Sequence, residues 1–226
     1  WDMPELLSKE VSQNGVNYTL YYLKLNEGAG EQPTVHDNVK VAYRGLLLDN
    51  TQFDIDPFPQ GLFSLKGYIE GWREIIPLFK GGTLVDIPNN PDPAEYVDFG
   101  AGVMFLPSDF GYYEGAQPGI PAYSPLIFTF KLFDVEYVDH DGDTILTKDE
   151  VEAGKTIETT DTDGDGTPNY LDVDDDNDSY TTRFELTMPA DPQNPNAEPS
   201  YYPFDQVPAC PGGTKPRHLD PACHGN

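Results

Sequence analysis

"GYIEGWREIIPLFKGG", residues 67–82, sets Ile69, Trp72, Ile76 and Phe79 three or four positions apart and closes on a pair of glycines. Apolar residues at that spacing share the buried face of a short helix, and Gly81 with Gly82 ends it. The segments on either side read differently. "YTLYYLKL" (18–25), "NVKVAYRGLLL" (38–48), "AGVMFLP" (101–107) and "PLIFTFKLFDVEYV" (125–138) are β-branched and aromatic, and Gly, Pro, Asn or Asp bounds each of them. Several alternate between apolar and polar positions, the pattern of half-buried strands. One helix among strands predicts an α+β fold in which an antiparallel β-sheet wraps over a short helix.

The apolar and aromatic residues crowd the segment from about 16 to 138, whereas Asp, Pro, Asn and Gly dominate the remainder. That shift in composition divides the 226 residues into a folded domain over 1–138, an acidic stretch over 139–190 and a Pro-rich tail over 191–226. The formal net charge of -26 leaves no basic stripe to neutralise phosphates, which argues against nucleic acid as a partner. It also repels anionic lipid surfaces. A compact chain so charged repels itself unless counter-ions bind, and multivalent cations are the natural ones. No apolar run reaches the roughly 18 to 20 residues that span a bilayer, so no transmembrane segment is expected. The first residue, Trp1, suggests a processed or trimmed terminus from which a signal segment is already missing, and a lipid anchor is a separate expectation.

The acidic stretch keeps a register. An EF-hand type calcium loop takes side-chain oxygens from positions 1, 3 and 5, a backbone carbonyl from 7, a further oxygen from 9 and a carboxylate from 12. Three windows satisfy that spacing. "DHDGDTILTKDE" offers Asp139, Asp141, Asp143, the carbonyl of Ile145, Thr147 and Glu150. "DTDGDGTPNYLD" offers Asp161, Asp163, Asp165, the carbonyl of Thr167, Asn169 and Asp172. "DDDNDSYTTRFE" offers Asp174, Asp176, Asp178, the carbonyl of Tyr180, Thr182 and Glu185. Thr144 and Ser179 stand where glycine is usual, so strain is expected in the first and third loops. A disordered acidic linker has the same composition but no reason to keep strict alternation.

This stretch, about 139–186, resembles the thrombospondin type 3 calcium repeats of bacterial surface proteins, and "DTDGDGTPNYLDVDDDND" is the closest part. The resemblance implies up to three structural Ca²⁺ ions in a rod or clamp whose fold depends on them. Hard oxygen ligands favour Ca²⁺ over softer metals. Extracellular sites with Kd on the order of 10⁻⁴ to 10⁻³ M are still filled.

Cys210 and Cys223 lie in "ACPGGTKPRHLDPACHGN". A disulfide would tether a segment too poor in apolar residues to hold itself, and would place the protein in an oxidising compartment. The rival reading is a metal clip of Cys210, His218, Cys223 and His224, whose spacing fits no common zinc pattern.

The first domain resembles the FKBP-type peptidyl-prolyl cis-trans isomerases in three places: "VKVAYRGLLLDNTQFD" (39–54), "FSLKGYIEGWREIIPLFKGG" (63–82) and "LPSDFGYYEGAQPGIPAYSPLIFTFKLFDVE" (106–136). Together they span about 16–138. The resemblance implies that Tyr43, Phe53, Asp54, Phe63, Ile69, Trp72, Tyr112, Ile120 and Phe128 line a proline pocket. Trp72 would be its floor, Asp54 would shape a side wall, and the N–H of Ile69 with the hydroxyl of Tyr112 would hold substrate carbonyls. Tyr68 replaces a usual small aliphatic residue and is expected to narrow the rim. Tyr113 replaces a common glycine and is expected to stiffen the flap. Residues 83–100 read as an inserted surface loop, and His36 as a surface residue.

The expectation is therefore an isomerase, or rotamase, that needs no catalytic cofactor. It acts on Pro-containing polypeptide clients in the periplasm or at the cell surface of a Gram-negative bacterium, docked on an outer-membrane or secretion complex. The alternative is a catalytically weak scaffold or chaperone that binds a partner in a calcium-dependent way.

Overall fold

The computed structural model describes residues 4–85, 95–194 and 197–223. The chain divides into two compact units, 1–136 and 137–226. The tail from 191 therefore belongs with the acidic loops.

In the first unit, β1 (Leu6–Gln13), β2 (Val16–Asn26), β3 (Asn38–Leu47), β4 (Gln52–Asp56), β5 (Phe63–Ser64), β8 (Gly100–Leu106) and β9 (Leu126–Glu136) form one antiparallel sheet. Its order is β1-β2-β8-β9-β3-β4, with β5 also on β3. Along β9 the side chains of Leu126, Phe128, Phe130 and Leu132 all turn inward, as alternation requires. They meet Val39, Val41, Met104 and Leu20 in one core.

The helix α1 (Glu70–Ile75) is shorter than its spacing predicts. Pro77 has no N–H to give to a helical ladder, so Ile76–Leu78 tightens into a 3₁₀ turn. Trp72, Ile76 and Phe79 are buried as expected, and Ile75 joins them. Ile69 stands before the helix in extended conformation, with its carbonyl accepting the N–H of Trp72 at 3.0 Å.

Two expectations change, and one element is new. The hairpin of β1 with β2 was not read from the sequence, yet Asn14 and Gly15 both have positive φ, 52° and 76°, as a two-residue type I′ turn requires. The inserted segment is not a plain loop: β6 (Thr83–Val85) pairs with β7 (Glu95–Val97), and residues 86–94 between them lie outside the described residues. His36 is buried at 1% exposure, not on the surface.

The second unit has little regular structure beyond α2 (Thr182–Glu185) and short 3₁₀ turns. Cys210 and Cys223 are bonded to one another with Cα atoms 5.6 Å apart. That pairing displaces the metal clip, whose fourth member, His224, lies outside the described residues. The aromatic tail packs on its own unit. The N–H of Tyr202 donates to the carbonyl of Leu186 at 2.9 Å, while Arg183 and Arg217 lie 5.2 and 5.1 Å over the rings of Tyr201 and Tyr202.

Candidate active site

β3 and β4 open a wall because of one missing side chain. A Cβ on Gly45 would sit 2.5 Å from the Phe53 ring and 3.0 Å from Phe128, so glycine alone lets these rings close on the strand. Phe53 and Phe128 then meet edge to face, 5.5 Å between centroids. Trp72, delivered by the first turn of α1, is 1% exposed. Its ring receives Tyr43 at 5.1 Å and Phe128 at 5.3 Å, both nearly perpendicular.

Above it is a cavity of about 240 Å³ lined by Tyr43, Phe53, Asp54, Gly67, Tyr68, Ile69, Trp72, Tyr112 and Phe128. Seven of the nine expected residues share that wall. Phe63 stands behind it, stacked on Tyr68 at 4.0 Å and 6.0 Å from Trp72. Ile120 packs in the same core cluster as Trp72 and Phe128. The Gln117–Ile120 turn, with Gly119 at φ 79°, buries the Ile120 side chain in the core. Gly67 was not anticipated, since a residue without a side chain leaves no chemical signal.

Asp54 is the one ionisable carboxylate in the wall. Its Oδ2 accepts the Tyr43 hydroxyl at 2.7 Å and its Oδ1 accepts the N–H of Ile55 at 2.8 Å. Burial, followed by this carboxylate, pushes the Tyr43 phenol well above its ordinary range. Burial and the Asp54 charge also raise Tyr68 and Tyr112. All three phenols therefore remain protonated donors at neutral pH. The N–H of Ile69 has no hydrogen-bond partner among the described residues and remains a further donor.

The rim follows the two substitutions singled out in the sequence. Tyr68 stacks on Phe63 and lies 5.3 Å from Trp72, which narrows the opening. Tyr113 has φ 50°, a conformation glycine adopts freely. Its N–H donates to Ser108, its carbonyl accepts from Tyr123 at 2.6 Å, and its ring meets Tyr123 edge to face at 5.2 Å. The flap carrying Tyr112 is thus pinned at its base.

The acidic loops repeat one framework three times. The first aspartate of each loop, Asp139, Asp161 or Asp174, accepts two backbone N–H bonds from residues three to five positions on. Asp143, Asp165 and Asp178 each accept the N–H two residues later, at 2.6 to 2.7 Å. Gly142 with Thr144, Gly164 with Gly166, and Asn177 with Ser179 all have positive φ. Thr144 at 91° and Ser179 at 78° carry the expected strain, greatest for the β-branched Thr144.

Asp139/Asp141/Asp143, Asp161/Asp163/Asp165 and Asp174/Asp176/Asp178 bring their carboxylates within 4.8 Å of one another. The ninth positions have another role. Thr147 Oγ1 lies 2.8 Å from His140 Nδ1, Asn169 Oδ1 accepts from Thr162 N–H, and Thr182 Oγ1 accepts from Asp175 N–H. Each binds the second residue of its own loop and braces it. Burial, followed by neighbouring aspartates, pushes Asp143 up to about 7 and Glu150 up to about 9. An all-oxygen donor set with buried carboxylates that lack partners fits a hard divalent cation.

The first unit is similar to proteins of known family. Residues 29–133 match the family model described as FKBP-type peptidyl-prolyl cis-trans isomerase. This part of the chain is similar to FKBP-type domains. FkpA of Aeromonas hydrophila, an FKBP-type isomerase, is 32% identical over 62% of this chain and 47% of its own length. The isomerase Mip of Coxiella burnetii is 31% identical over 52% of this chain and 45% of its own. The chain spans about half the length of the curated relatives it matches. The crystal structure of Escherichia coli FkpA aligns at 31% identity and a TM-score of 0.41, over 52% of this chain and 48% of that one. Beyond that stretch, residues 140–217 match a second family model, the C-terminal region of BamM.

Proposed function

We propose that the first unit is a peptidyl-prolyl cis-trans isomerase, and that the second is a module stabilised by Ca²⁺. The observation that carries the reading is the aromatic cavity floored by the buried Trp72 and ringed by phenol donors. X–Pro bonds isomerise in tens to hundreds of seconds because amide resonance must be lost at the twisted transition state. The twisted amide separates less charge than the planar one, so aromatic walls suit it better than water does. Trp72, Tyr43 and Phe128 pack on the prolyl ring and exclude water, while the Tyr112 hydroxyl and the Ile69 N–H orient carbonyls on either side. Catalysis is complementarity to the twisted form. It calls for no nucleophile or general base, and Asp54 serves to aim Tyr43.

Clients are Pro-containing polypeptides, and the Cys210–Cys223 bond supports an extracytoplasmic site of action, in the periplasm or at the cell surface. Calcium supplies only structure: the three aspartate loops hold the ions and no chemical step passes through them. The test is a protease-free isomerisation assay on an X–Pro peptide with wild type and Trp72→Leu, each in calcium and in chelator. Turnover that falls at least tenfold in Trp72→Leu supports the isomerase. Absence of turnover from the folded wild type overturns it.

The match of residues 140–217 to a separate family favours a second role for that unit. It docks the enzyme, as a scaffold or chaperone, on an outer-membrane or secretion assembly in a calcium-dependent way. Partner capture that survives Trp72→Leu but is lost in chelator supports it, and capture unaffected by chelator counts against it.

A further inference from the structure

We propose that Asp175 completes a divalent-cation site with Asp143 and Glu150, so that one Ca²⁺ ion ties the third acidic loop to the first. The inference rests on the reading of the loops as calcium sites and goes beyond it. Asp175 falls between Asp174 and Asp176, the ligand positions of its own loop, and no reading that takes the loops one at a time gives it a role.

One carboxylate oxygen each of Asp143, Glu150 and Asp175 lies within 4.8 Å of the other two. Ca²⁺ binds oxygen at about 2.3 to 2.6 Å, so two ligands of one ion stand no more than roughly 5 Å apart. The three residues are 2%, 4% and 2% exposed. Asp143 Oδ2, both carboxylate oxygens of Glu150 and Asp175 Oδ1 accept no hydrogen bond. Their partnered atoms are used locally: Asp143 Oδ1 takes the N–H of Ile145, and the backbone N–H of Asp175 goes to Thr182. No ion pair among the described residues includes any of the three.

Three converging carboxylates buried without a counter-charge are strongly unfavourable. The nearby Arg183 guanidinium donates to the carbonyl of Gly142 at 2.9 Å; its charge offsets part of that on Asp143 without forming an ion pair with any of the three. That bond joins the first and third loops. All-oxygen ligands of this charge take a hard cation in preference to zinc or copper. The bound ion makes the order of the two loops interdependent.

Native mass spectrometry and calcium-dependent melting of the full chain test this, with wild type, Asp175→Asn and Asp163→Asn. Asp175→Asn is expected to retain one ion fewer and to need at least tenfold more calcium for the same rise in Tm. Asp163→Asn, in the second loop, is expected to lose a different ion, so the double variant loses both. An unchanged ion count and calcium midpoint in Asp175→Asn would overturn the shared site while leaving the loop sites intact. A wild type that binds no calcium overturns the shared site and the calcium reading together. Should Asp175→Asn not fold, anomalous scattering from calcium in crystals of the wild type decides. A peak among the three carboxylates supports the site, and peaks confined to the aspartate triplets overturn it.

Discussion

The hydroxyl of Tyr43 donates to Asp54 Oδ2 at 2.7 Å, joining the two strands that form one wall of the cavity. The carboxylate aims the phenol and adds to the effect of burial in raising its pKa. Tyr43→Phe removes one hydrogen bond and is expected to lower kcat/KM by about three- to tenfold. Asp54→Ala removes the acid that faces Tyr43, Tyr68 and Tyr112 and is expected to cost more. Asp54→Asn is expected to shift phenol ionisation to lower pH, because the charge that raises it is gone. Ultraviolet titration of the phenols reads that shift.

Gly45→Ala places a methyl group against Phe53 and Phe128. Overpacking of this kind costs about 1 to 3 kcal/mol. A lower urea midpoint for the first unit is expected, with loss of turnover as the two rings are forced apart. Unchanged stability would mean that the strand bulge beside Gly45 absorbs the methyl group.

Tyr68 stacks on Phe63 at the mouth of the cavity. Tyr68→Val is expected to widen the opening and to raise turnover several-fold for peptides with a bulky residue before proline, with little change for small ones. A peptide series separates the two outcomes. A uniform fall would instead assign Tyr68 to the support of Trp72.

The disulfide closes a short loop in a unit with few apolar residues. Its reduction is expected to destabilise the second unit by about 3 kcal/mol, through the freedom returned to the unfolded chain. The first unit contains neither cysteine, so its melting transition should not move. Calorimetry with and without reductant checks both statements.

Burial, with a lesser effect from Arg217, pushes His218 down to about 4. The folded protein therefore binds a proton less readily than the unfolded chain. Its neutral ring contributes stability that is complete above about pH 6.5 and is lost as pH falls toward 4, up to about 3 kcal/mol in all. The difference in Tm between wild type and His218→Gln, taken in the same buffers, should carry that slope. A difference independent of pH would remove His218 from the acid response.

Much of this was legible because it is local. The helix spacing of Trp72, Ile76 and Phe79, the alternation along β9 and the aspartate registers of the three loops all concern residues within a few positions of one another, where backbone geometry dictates the pattern. The hairpin turn at Asn14 and Gly15 is equally local, an Asn-Gly pair between two strands. Other features had no such signal. Ile120 is buried in the same core cluster as Trp72 and Phe128, a placement that its Pro- and Gly-rich turn does not announce. The ninth loop positions carry suitable oxygens, yet those oxygens brace their own loops.

The sequence by itself determined that a sheet wraps a helix, that its aromatic residues resemble a proline pocket and that the acidic stretch keeps a metal-loop register. Only the tertiary structure decided that Tyr43 meets Asp54, that Gly45 admits two rings, and that Asp175 stands beside Asp143, thirty-two positions away. The physical reason is that periodicity reports which face of an element is buried, whereas contacts between distant residues depend on how packing and loop closure bring separate elements together.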